Sequence, residues 1–403
     1  MDKLIQIRSR KQIPPQPWAI PRDANSGEAP NDATNRARIA RALLKDREQF
    51  EEAVRTADPY RIFWVKFKII DGCNIKCVMC NHWRRDEYLK SILTHERLLE
   101  LGEELARFGA RHVNWSGGEP TLRKDLPEII GRYRALGMKS SLITNGTRLT
   151  EDYARRLREA GVARVLVSLE SSDPDVHDRV VGSPGAWQKL IDGVPRLTQR
   201  GSPAPKVTFT TVLTSHNVGP ALPGIVTIAK KLGVSETRFS PVVVGHLRND
   251  EHALLPSGAQ IEQLRNEYLP QMLETGRRLG VAIHVDGGDP EDSFDESSEV
   301  RSDSASHMSP DGMHAQGYYR EHPCYLPWYH CMINWAGDVY ACCHVGNDGL
   351  WGNIVNESLM DIIKGRAAVD FRRSLTTVDP PPSCNDCAMQ IGENQEIDRV
   401  LQL

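Results

Sequence analysis

Hydrophobic and polar residues in the middle of the chain repeat as a short β-rich run followed by a longer amphipathic stretch. Six such runs predict strands: RIFWVKFKII, RHVNWSG, KSSLITNG, ARVLVSLE, KVTFTTVL and ETRFSPVVV. The stretches between them, such as LTHERLLELGEELARFG and LTEDYARRLREAG, have helical spacing, and Thr150 is the predicted N-cap of the second. Strands that alternate with helices predict a parallel sheet joined by right-handed crossovers.

Six strand-helix units are fewer than the eight that close a TIM barrel, so the pattern predicts an α/β fold with a partial (β/α)6 TIM-like barrel. We expect the chemistry at the C-terminal ends of its strands. The barrel is assigned to residues 61–286, after an N-terminal tail and lead-in helix at 1–60.

The region after the barrel changes in composition. Residues 287–320 are acidic and serine-rich, and they are too polar to pack by themselves, so they predict a linker or a lid that orders with substrate. Residues 321–403 contain six cysteines and predict a small second domain.

Charge and hydropathy exclude some partners. Lys and Arg number 50 against 53 Asp and Glu, a formal net charge of -3, and no stretch concentrates one sign, so we expect no nucleic-acid partner. The chain has no apolar window of about 18 residues. Its first residues also lack the apolar core of a signal peptide. We therefore expect a soluble, cytoplasmic protein that does not bind membranes.

The nine cysteines fall into two groups, and such clustering in a reducing compartment favours metal over disulfides. Cys73, Cys77 and Cys80 follow the first predicted strand with the spacing C-x3-C-x2-C. Structural zinc and iron-sulfur clusters normally take four protein ligands. Three cysteines therefore indicate either a zinc knuckle with a distant fourth ligand, such as His82, or a 4Fe-4S cluster with one iron left open.

Further segments on successive strand-helix units accompany these cysteines: WSGGEPTL, ITNGT, VLVSLESSDPDVHDRVVG and FTTVLTSHN. In this order they resemble the radical S-adenosylmethionine (SAM) superfamily, and the resemblance covers residues 62 to about 245. It implies that Cys73, Cys77 and Cys80 hold a 4Fe-4S cluster whose open iron binds SAM. It also implies an enzyme in which one-electron reduction of SAM yields a 5′-deoxyadenosyl radical that abstracts hydrogen.

The same resemblance implies the SAM contacts. Gly117, Gly118 and Glu119 match the motif that contacts the methionine amino group, and Ser168 matches a contact to the ribose or carboxylate. Further candidates are Asn145, Thr210 and Asn217. The electron is expected from an external reductant of the flavodoxin or ferredoxin type.

The C-terminal cysteines resemble the opening of a SPASM domain in its shortened, twitch form. Cys324, Gly337 and Cys342 have the spacing C-x12-G-x4-C, and Cys384 and Cys387 follow as C-x2-C. The resemblance implies a second 4Fe-4S cluster, auxiliary and with no open iron. A zinc ribbon is the alternative.

Two cysteines remain outside this set. Cys343 directly follows a predicted ligand, and adjacent residues seldom both reach one cluster, so we interpret it as structural. Cys331 is either an inert buried thiol or a hydrogen donor to a substrate radical.

These features predict oxidation of a small polar metabolite, such as a sugar, aminocyclitol or nucleoside, in natural-product biosynthesis. The auxiliary cluster would accept the electron. Alternatives are an epimerase, a dehydratase or deoxygenase of the same substrates, or a peptide-modifying enzyme; a non-enzymatic metal-binding protein is the other class. Residues 1–60 show no run of strands for a peptide-leader-binding module, and no cobalamin-binding domain precedes the barrel.

Overall fold

The computed structural model describes most of the chain and divides it into two compact units. Described are residues 46–80, 83, 92–198, 204–242, 253–285, 318–377, 379–385, 387, 391, 394, 397–398 and 401. The barrel unit comprises Phe63–Val285 and Met332–Asp338, and the C-terminal unit comprises Met1–Ile62, Asp286–Cys331 and Val339–Leu403. His82 and the predicted linker or lid up to residue 317 lie outside the described residues.

The barrel unit is built on a parallel sheet in which consecutive strands are neighbours. Its described strands are β1 (Trp64–Lys68), β2 (His112–Ser116), β3 (Lys139–Thr144), β4 (Arg164–Ser168), β5 (Lys206–Leu213), β6 (Glu236–Pro241) and β7 (Ala282–Val285). Among these strands β1 and β7 do not pair, so the predicted open α/β barrel is confirmed. The seventh strand was not predicted, because four residues are too short for an alternating pattern to stand out.

Helices connect the strands and cover one face of the sheet. Helix α1 (Arg47–Thr56) precedes them in the chain and belongs to the C-terminal unit. The helices of the barrel unit are α2 (His95–Arg107), α3 (Leu126–Ala135), α4 (Glu151–Ala160), α5 (Pro174–Val181), α6 (Ala186–Gly193), α7 (Pro195–Thr198), α8 (Gly224–Lys231), α9 (Gly258–Gln263) and α10 (Leu269–Leu279). A 3-10 turn lies at Pro120–Leu122 and a π-helix at Leu264–Tyr268. The Thr150 hydroxyl accepts a hydrogen bond from the Tyr153 N–H, which confirms the predicted N-cap of α4.

Side chains along each strand point alternately to the helix-covered face of the sheet and to the barrel interior. Phe67 stacks on Trp115 with ring centroids 5.0 Å apart, and Tyr133 of α3 meets Trp115 edge-on at 4.9 Å. Successive strand residues point to opposite faces, so residues of the other parity face the interior. Ser168 and Thr210 belong to that set and are paired in register.

The remaining elements follow in the chain after residue 317. They are α11 (Tyr318–Glu321), β8 (His330–Ile333), β9 (Asp338–Tyr340), β10 (Leu350–Asn353), α12 (Leu359–Lys364) and α13 (Arg366–Ser374), with 3-10 turns at Leu326–Trp328, Asn347–Gly349 and Pro382–Cys384.

Helix α1 is fixed within the C-terminal unit by two buried side chains. Trp328 Nε1 donates to the Ala53 carbonyl at 2.9 Å, and Arg372 Nε donates to the Ala57 carbonyl at 2.7 Å. The lead-in helix and the cysteine-rich end of the chain therefore fold together. No helix in the described part of the chain has the length and apolar character to cross a membrane.

Candidate functional site

The three N-terminal cysteines lie on the loop that follows β1, at the C-terminal edge of the sheet. This loop pairs with the end of α5: the Lys76 N–H donates to the Val181 carbonyl and the Val78 N–H to the Val180 carbonyl, both at 2.9 Å. Burial, together with the nearby Glu119 and Cys80, raises the pKa of Cys73 to about 11. The fold therefore brings the three thiols within electrostatic reach of one another.

The two glycines of the GGE segment make room for this loop. The Gly118 N–H donates to the Ile70 carbonyl at 2.7 Å, and the Glu119 N–H donates to the Gly72 carbonyl at 2.9 Å. A Cβ atom on Gly118 would lie 2.2 Å from the Gly72 carbonyl oxygen, and one on Gly117 would lie 2.4 Å from the Ile70 oxygen. The close approach that requires glycine is thus to the chain's own loop, and the implied contact with SAM stays a prediction.

Glu119 is buried and accepts hydrogen bonds from several residues at this edge of the sheet. Its carboxylate accepts hydrogen bonds from the Thr121 N–H at 3.0 Å, the Thr144 hydroxyl at 2.7 Å and the Asn145 N–H at 2.8 Å, and a further one from the Thr121 hydroxyl. Burial raises the pKa of Glu119, although these hydrogen bonds lower it. The carboxylate joins the ends of β2 and β3 beside Cys73.

The Asn145 side chain forms hydrogen bonds within the protein. Its amide nitrogen donates to Asn74 Oδ1 at 3.0 Å and lies 4.0 Å from Cys73 Sγ, and its oxygen accepts from the Thr147 N–H at 3.0 Å. In this structure Asn145 orients the cysteine loop.

The Asn217 side chain is likewise fully engaged. Its oxygen accepts from the N–H and the hydroxyl of Thr214 at 2.8 and 3.1 Å, and its nitrogen donates to the Glu170 and Val212 carbonyls at 2.9 and 2.8 Å. An asparagine amide has two donors and two acceptor positions, so none is left for a ligand. Asn217 joins the ends of β4 and β5 instead.

Ser168 and Thr210 differ from these residues. They are paired on β4 and β5 and half-buried, and neither hydroxyl forms a hydrogen bond within the portion of the chain that the structure describes. Of the predicted SAM contacts, these two hydroxyls have donor and acceptor capacity to spare.

Two buried polar residues near the cysteine loop are not among the predicted site residues, although both lie in the segment VLVSLESSDPDVHDRVVG. Glu170 is buried and accepts from the Val212 N–H at 2.8 Å; burial raises its pKa to about 8, and its charge in turn raises the pKa of Cys77. His177 Nδ1 accepts from the Glu170 N–H at 3.1 Å, and burial lowers the His177 pKa to about 4. The histidine therefore holds the backbone that carries Glu170.

The C-terminal unit brings four predicted ligands to one pocket: Cys324, Cys342, Cys384 and Cys387. The same pocket is lined by Leu326, Pro327, Val345, Phe371 and Leu375, with Tyr319 and His344. Cys324, Cys342 and Cys387 are half-buried and Cys384 is buried, and burial raises the pKa of Cys324 to about 12. Four thiols in an apolar pocket fit a closed four-cysteine cluster, whereas three on the β1 loop fit a cluster with an open iron.

Cys331 and Cys343 do not line this pocket. Cys331 has no exposed surface, and burial alone raises its pKa to about 12. In the described residues no group of three His, Cys, Asp or Glu side chains is already arranged around a metal position. The ligand assignments therefore depend on the shared loop and the shared pocket.

A curated relative changes the predicted substrate. The chain is 29% identical over 333 residues to the PqqA peptide cyclase of Xanthomonas campestris pv. campestris (strain 8004), which covers 80% of this chain and 78% of the relative. The relative is named for a peptide and for cyclisation. The predicted oxidation of a sugar, aminocyclitol or nucleoside is therefore wrong, and the peptide-modifying alternative fits better.

Solved structures share the fold. Streptococcus suis SuiB bound to its precursor peptide SuiA matches with a TM-score of 0.54 and 14% identity, over 87% of this chain and 74% of SuiB. The protein anSMEcpe with bound AdoMet and the Cp18Cys peptide matches with a TM-score of 0.56 and 16% identity, over 81% of this chain and 85% of that chain.

Family models match both cysteine regions. The model of the radical SAM superfamily matches residues 67–221, which include the three cysteines of the β1 loop. The model of the SPASM iron-sulfur cluster-binding domain matches residues 324–388, which include the four cysteines of the apolar pocket. Domains of these two kinds bind 4Fe-4S clusters and SAM. The chain therefore contains a radical SAM domain at residues 67–221 and a C-terminal SPASM iron-sulfur cluster-binding domain at residues 324–388.

Proposed function

We propose that the substrate of this radical SAM enzyme is a peptide, and that the reaction closes a covalent bond within it with net loss of two hydrogens. The observation that carries this proposal is the similarity to the PqqA peptide cyclase, which extends over 80% of the chain and therefore over more than the barrel unit. A relative that shared the barrel alone would have supported the radical chemistry without indicating the substrate.

The front site, defined as Cys73, Cys77 and Cys80 with its surroundings, would hold a cluster with one open iron. Ser168 and Thr210 would orient SAM through their hydroxyls, since these are half-buried, adjacent in register and not engaged by the described protein. Glu119 would shape this site through the hydrogen bonds that fix the loop ends.

The rear site, defined as Cys324, Cys342, Cys384 and Cys387, would hold an auxiliary cluster whose irons are all bound by cysteine. When bound, the clusters and SAM would supply a radical that removes one hydrogen atom from the peptide and an acceptor for the electron released as the new bond closes. The second hydrogen leaves as a proton, so the peptide loses two hydrogens in total. The external reductant would be a protein of the flavodoxin or ferredoxin type.

Anaerobic incubation with SAM, a one-electron reductant and a panel of peptides tests this proposal, with sugars, aminocyclitols and nucleosides as a parallel panel. We expect a peptide product two mass units lighter than its substrate, with a fragmentation pattern that shows an internal bond. The variant Cys73→Ala, Cys77→Ala, Cys80→Ala is the matched control and should give none. Conversion of a small metabolite with every peptide unchanged would overturn the proposal.

A further inference from the structure

The sulfur of Cys324 receives hydrogen bonds from two side chains that lie outside the matched iron-sulfur domain. Asn394 Nδ2 lies 3.8 Å from Cys324 Sγ, and the Tyr319 hydroxyl is hydrogen bonded to the same sulfur. The matched domain spans residues 324–388, so one donor precedes it and the other follows it. Neither residue belongs to the predicted ligand set.

Both donors are fixed in the interior. Asn394 is fully buried; its oxygen accepts from the Tyr325 N–H at 2.7 Å, and its nitrogen also donates to the Tyr319 hydroxyl oxygen at 3.1 Å. Tyr319 is 1% exposed and packs edge-on against Tyr318, with ring centroids 5.1 Å apart. Because these groups are held by other contacts in a dry environment, their dipoles keep pointing at the sulfur.

Hydrogen bonds to a cysteine sulfur affect how readily a cluster takes up an electron. Reduction adds negative charge, part of which resides on the sulfurs, and an N–H or O–H dipole aimed at a sulfur stabilises that charge. At the front site the matching amide, Asn145 Nδ2, lies at 4.0 Å from Cys73 Sγ and is also bonded to Asn74. Cys324 therefore receives one more side-chain hydrogen bond than Cys73 does.

We propose that Tyr319 and Asn394 are positioning residues that act through Cys324 to raise the reduction potential of the rear site. Their purpose in this scheme, which is to make the rear site an electron acceptor, depends on the proposed peptide reaction. The measurement of the reduction potential does not depend on that reaction, because it needs no substrate.

The test is a redox titration of the full-length chain, reconstituted with iron and sulfide and monitored by electron paramagnetic resonance. Cys73→Ala, Cys77→Ala and Cys80→Ala form the background, so that the signal comes from the rear site alone. Tyr319→Phe removes one donor without changing the ring, and Asn394→Asp removes the amide donors while it keeps the acceptor for the Tyr325 N–H. Tyr325→Phe is the matched control, because that buried hydroxyl bonds Asp398 at 2.7 Å.

We expect Tyr319→Phe to lower the ratio of reduced to oxidised cluster at a fixed potential by about tenfold, a shift of about 59 mV for one electron. Asn394→Asp should shift the potential further in the same direction, and Tyr325→Phe should leave it unchanged. Unchanged potentials in both variants at full iron content would overturn the proposal. So would loss of iron from Tyr319→Phe but not from Tyr325→Phe, since the hydroxyl would then serve assembly.

If the alanine background itself fails to bind iron, the same variants are titrated in the wild-type chain. The front-site signal is then recognised by its change on addition of SAM. Unchanged reduction potentials would not affect the result of the peptide assay, and a failed peptide assay would not affect the measured shift in potential. The two proposals can therefore fail separately.

Discussion

The front and rear sites use cysteine in opposite surroundings. At the front site three thiols lie on a loop at the end of the barrel strands, with the buried carboxyl groups of Glu119 and Glu170 beside Cys73 and Cys77. At the rear site four thiols line a pocket whose other walls are mainly apolar, including Leu326 and Phe371. The front site has three predicted ligands beside buried carboxyl groups, and the rear site has four predicted ligands between mainly apolar walls.

This difference indicates a division of labour. An open iron position needs polar groups that orient the incoming ligand, and the hydroxyls of Ser168 and Thr210 form no hydrogen bond with the described residues. A closed cluster needs no such groups, since it exchanges electrons and not ligands. The number of cysteines and the polarity of the surroundings therefore point to the same roles.

Removing the ligands of one site at a time tests this comparison most severely. Reconstituted wild-type protein should contain about eight irons per chain. Cys73→Ala, Cys77→Ala, Cys80→Ala should halve that content and abolish formation of 5′-deoxyadenosine from SAM. Cys384→Ala, Cys387→Ala should remove the other half and leave SAM cleavage in place. Iron and 5′-deoxyadenosine assays measure both, and loss of SAM cleavage in the rear variant would show that the sites do not work separately.

The opposite end of the barrel offers a change that should affect folding alone. Glu236, at the start of β6, is buried and bonded to Arg164 at 2.6 Å, Lys206 at 3.0 Å and His284 at 2.8 Å. Despite its burial, these partners hold the pKa of Glu236 well below its usual range. Glu236→Gln leaves the half-buried Arg164 without its counter-charge, and it should lower the free energy of unfolding by about 3 kcal/mol at pH 7.

The pH dependence of that effect has a definite sign. A carboxyl whose pKa is depressed in the folded state stabilises the protein above its unfolded pKa, and this stabilisation is lost as the pH falls towards the folded value. The difference between wild type and Glu236→Gln should thus be full at pH 7 and shrink below about pH 4.5. Chemical denaturation at several pH values measures it. A change in iron content at neutral pH would contradict the view that this end is structural.

Sequence predicted those features that depend on local pattern. The six longer strands, the Thr150 N-cap and the two cysteine groups could each be identified from neighbouring residues, and the cysteine loop does follow β1. Whether a polar side chain is free for a ligand depends on partners distant in the chain, such as the Glu170 carbonyl that Asn217 binds. For that reason Asn145 and Asn217 looked equivalent to Ser168 and Thr210 in the sequence but differ from them in the structure.

The same physical limit explains why the predicted substrate class is wrong. The residues predicted to hold the clusters and SAM follow motifs, whereas a substrate is recognised by side chains spread over several elements, for which the sequence alone gives no pattern. The sequence of residues 1–60 has no strand pattern, and this favoured a small metabolite over a peptide, but a similarity that spans most of the chain carries more information than one short segment.

Ser168 and Thr210 provide a finer test of the front site. Ser168→Ala and Thr210→Val should each weaken SAM binding by about 1 kcal/mol, or about fivefold in Kd, because each removes one hydrogen bond. Isothermal titration of the reconstituted protein measures the affinity, and iron content should not change. Thr211→Val is the matched control, since its hydroxyl donates to the Leu169 carbonyl at 2.6 Å. Equal loss of affinity in that control would mean that the strand, and not the ligand contact, is being perturbed.

Cys331 should give the smallest effect, and it decides which thiols belong to the rear site. Its side chain has no exposed surface and does not line the pocket of the four ligands, and burial alone raises its pKa to about 12, so it stays a neutral thiol. Cys331→Ala should cost about 1 kcal/mol of stability through lost packing. It should keep full iron content and the same product, whereas Cys324→Ala should lose the rear cluster. Iron content, an unfolding curve and the product mass in heavy water measure these effects. A product that gains one deuterium with wild type and is lost with Cys331→Ala would make the thiol a hydrogen donor and would require a conformation in which β8 exposes it.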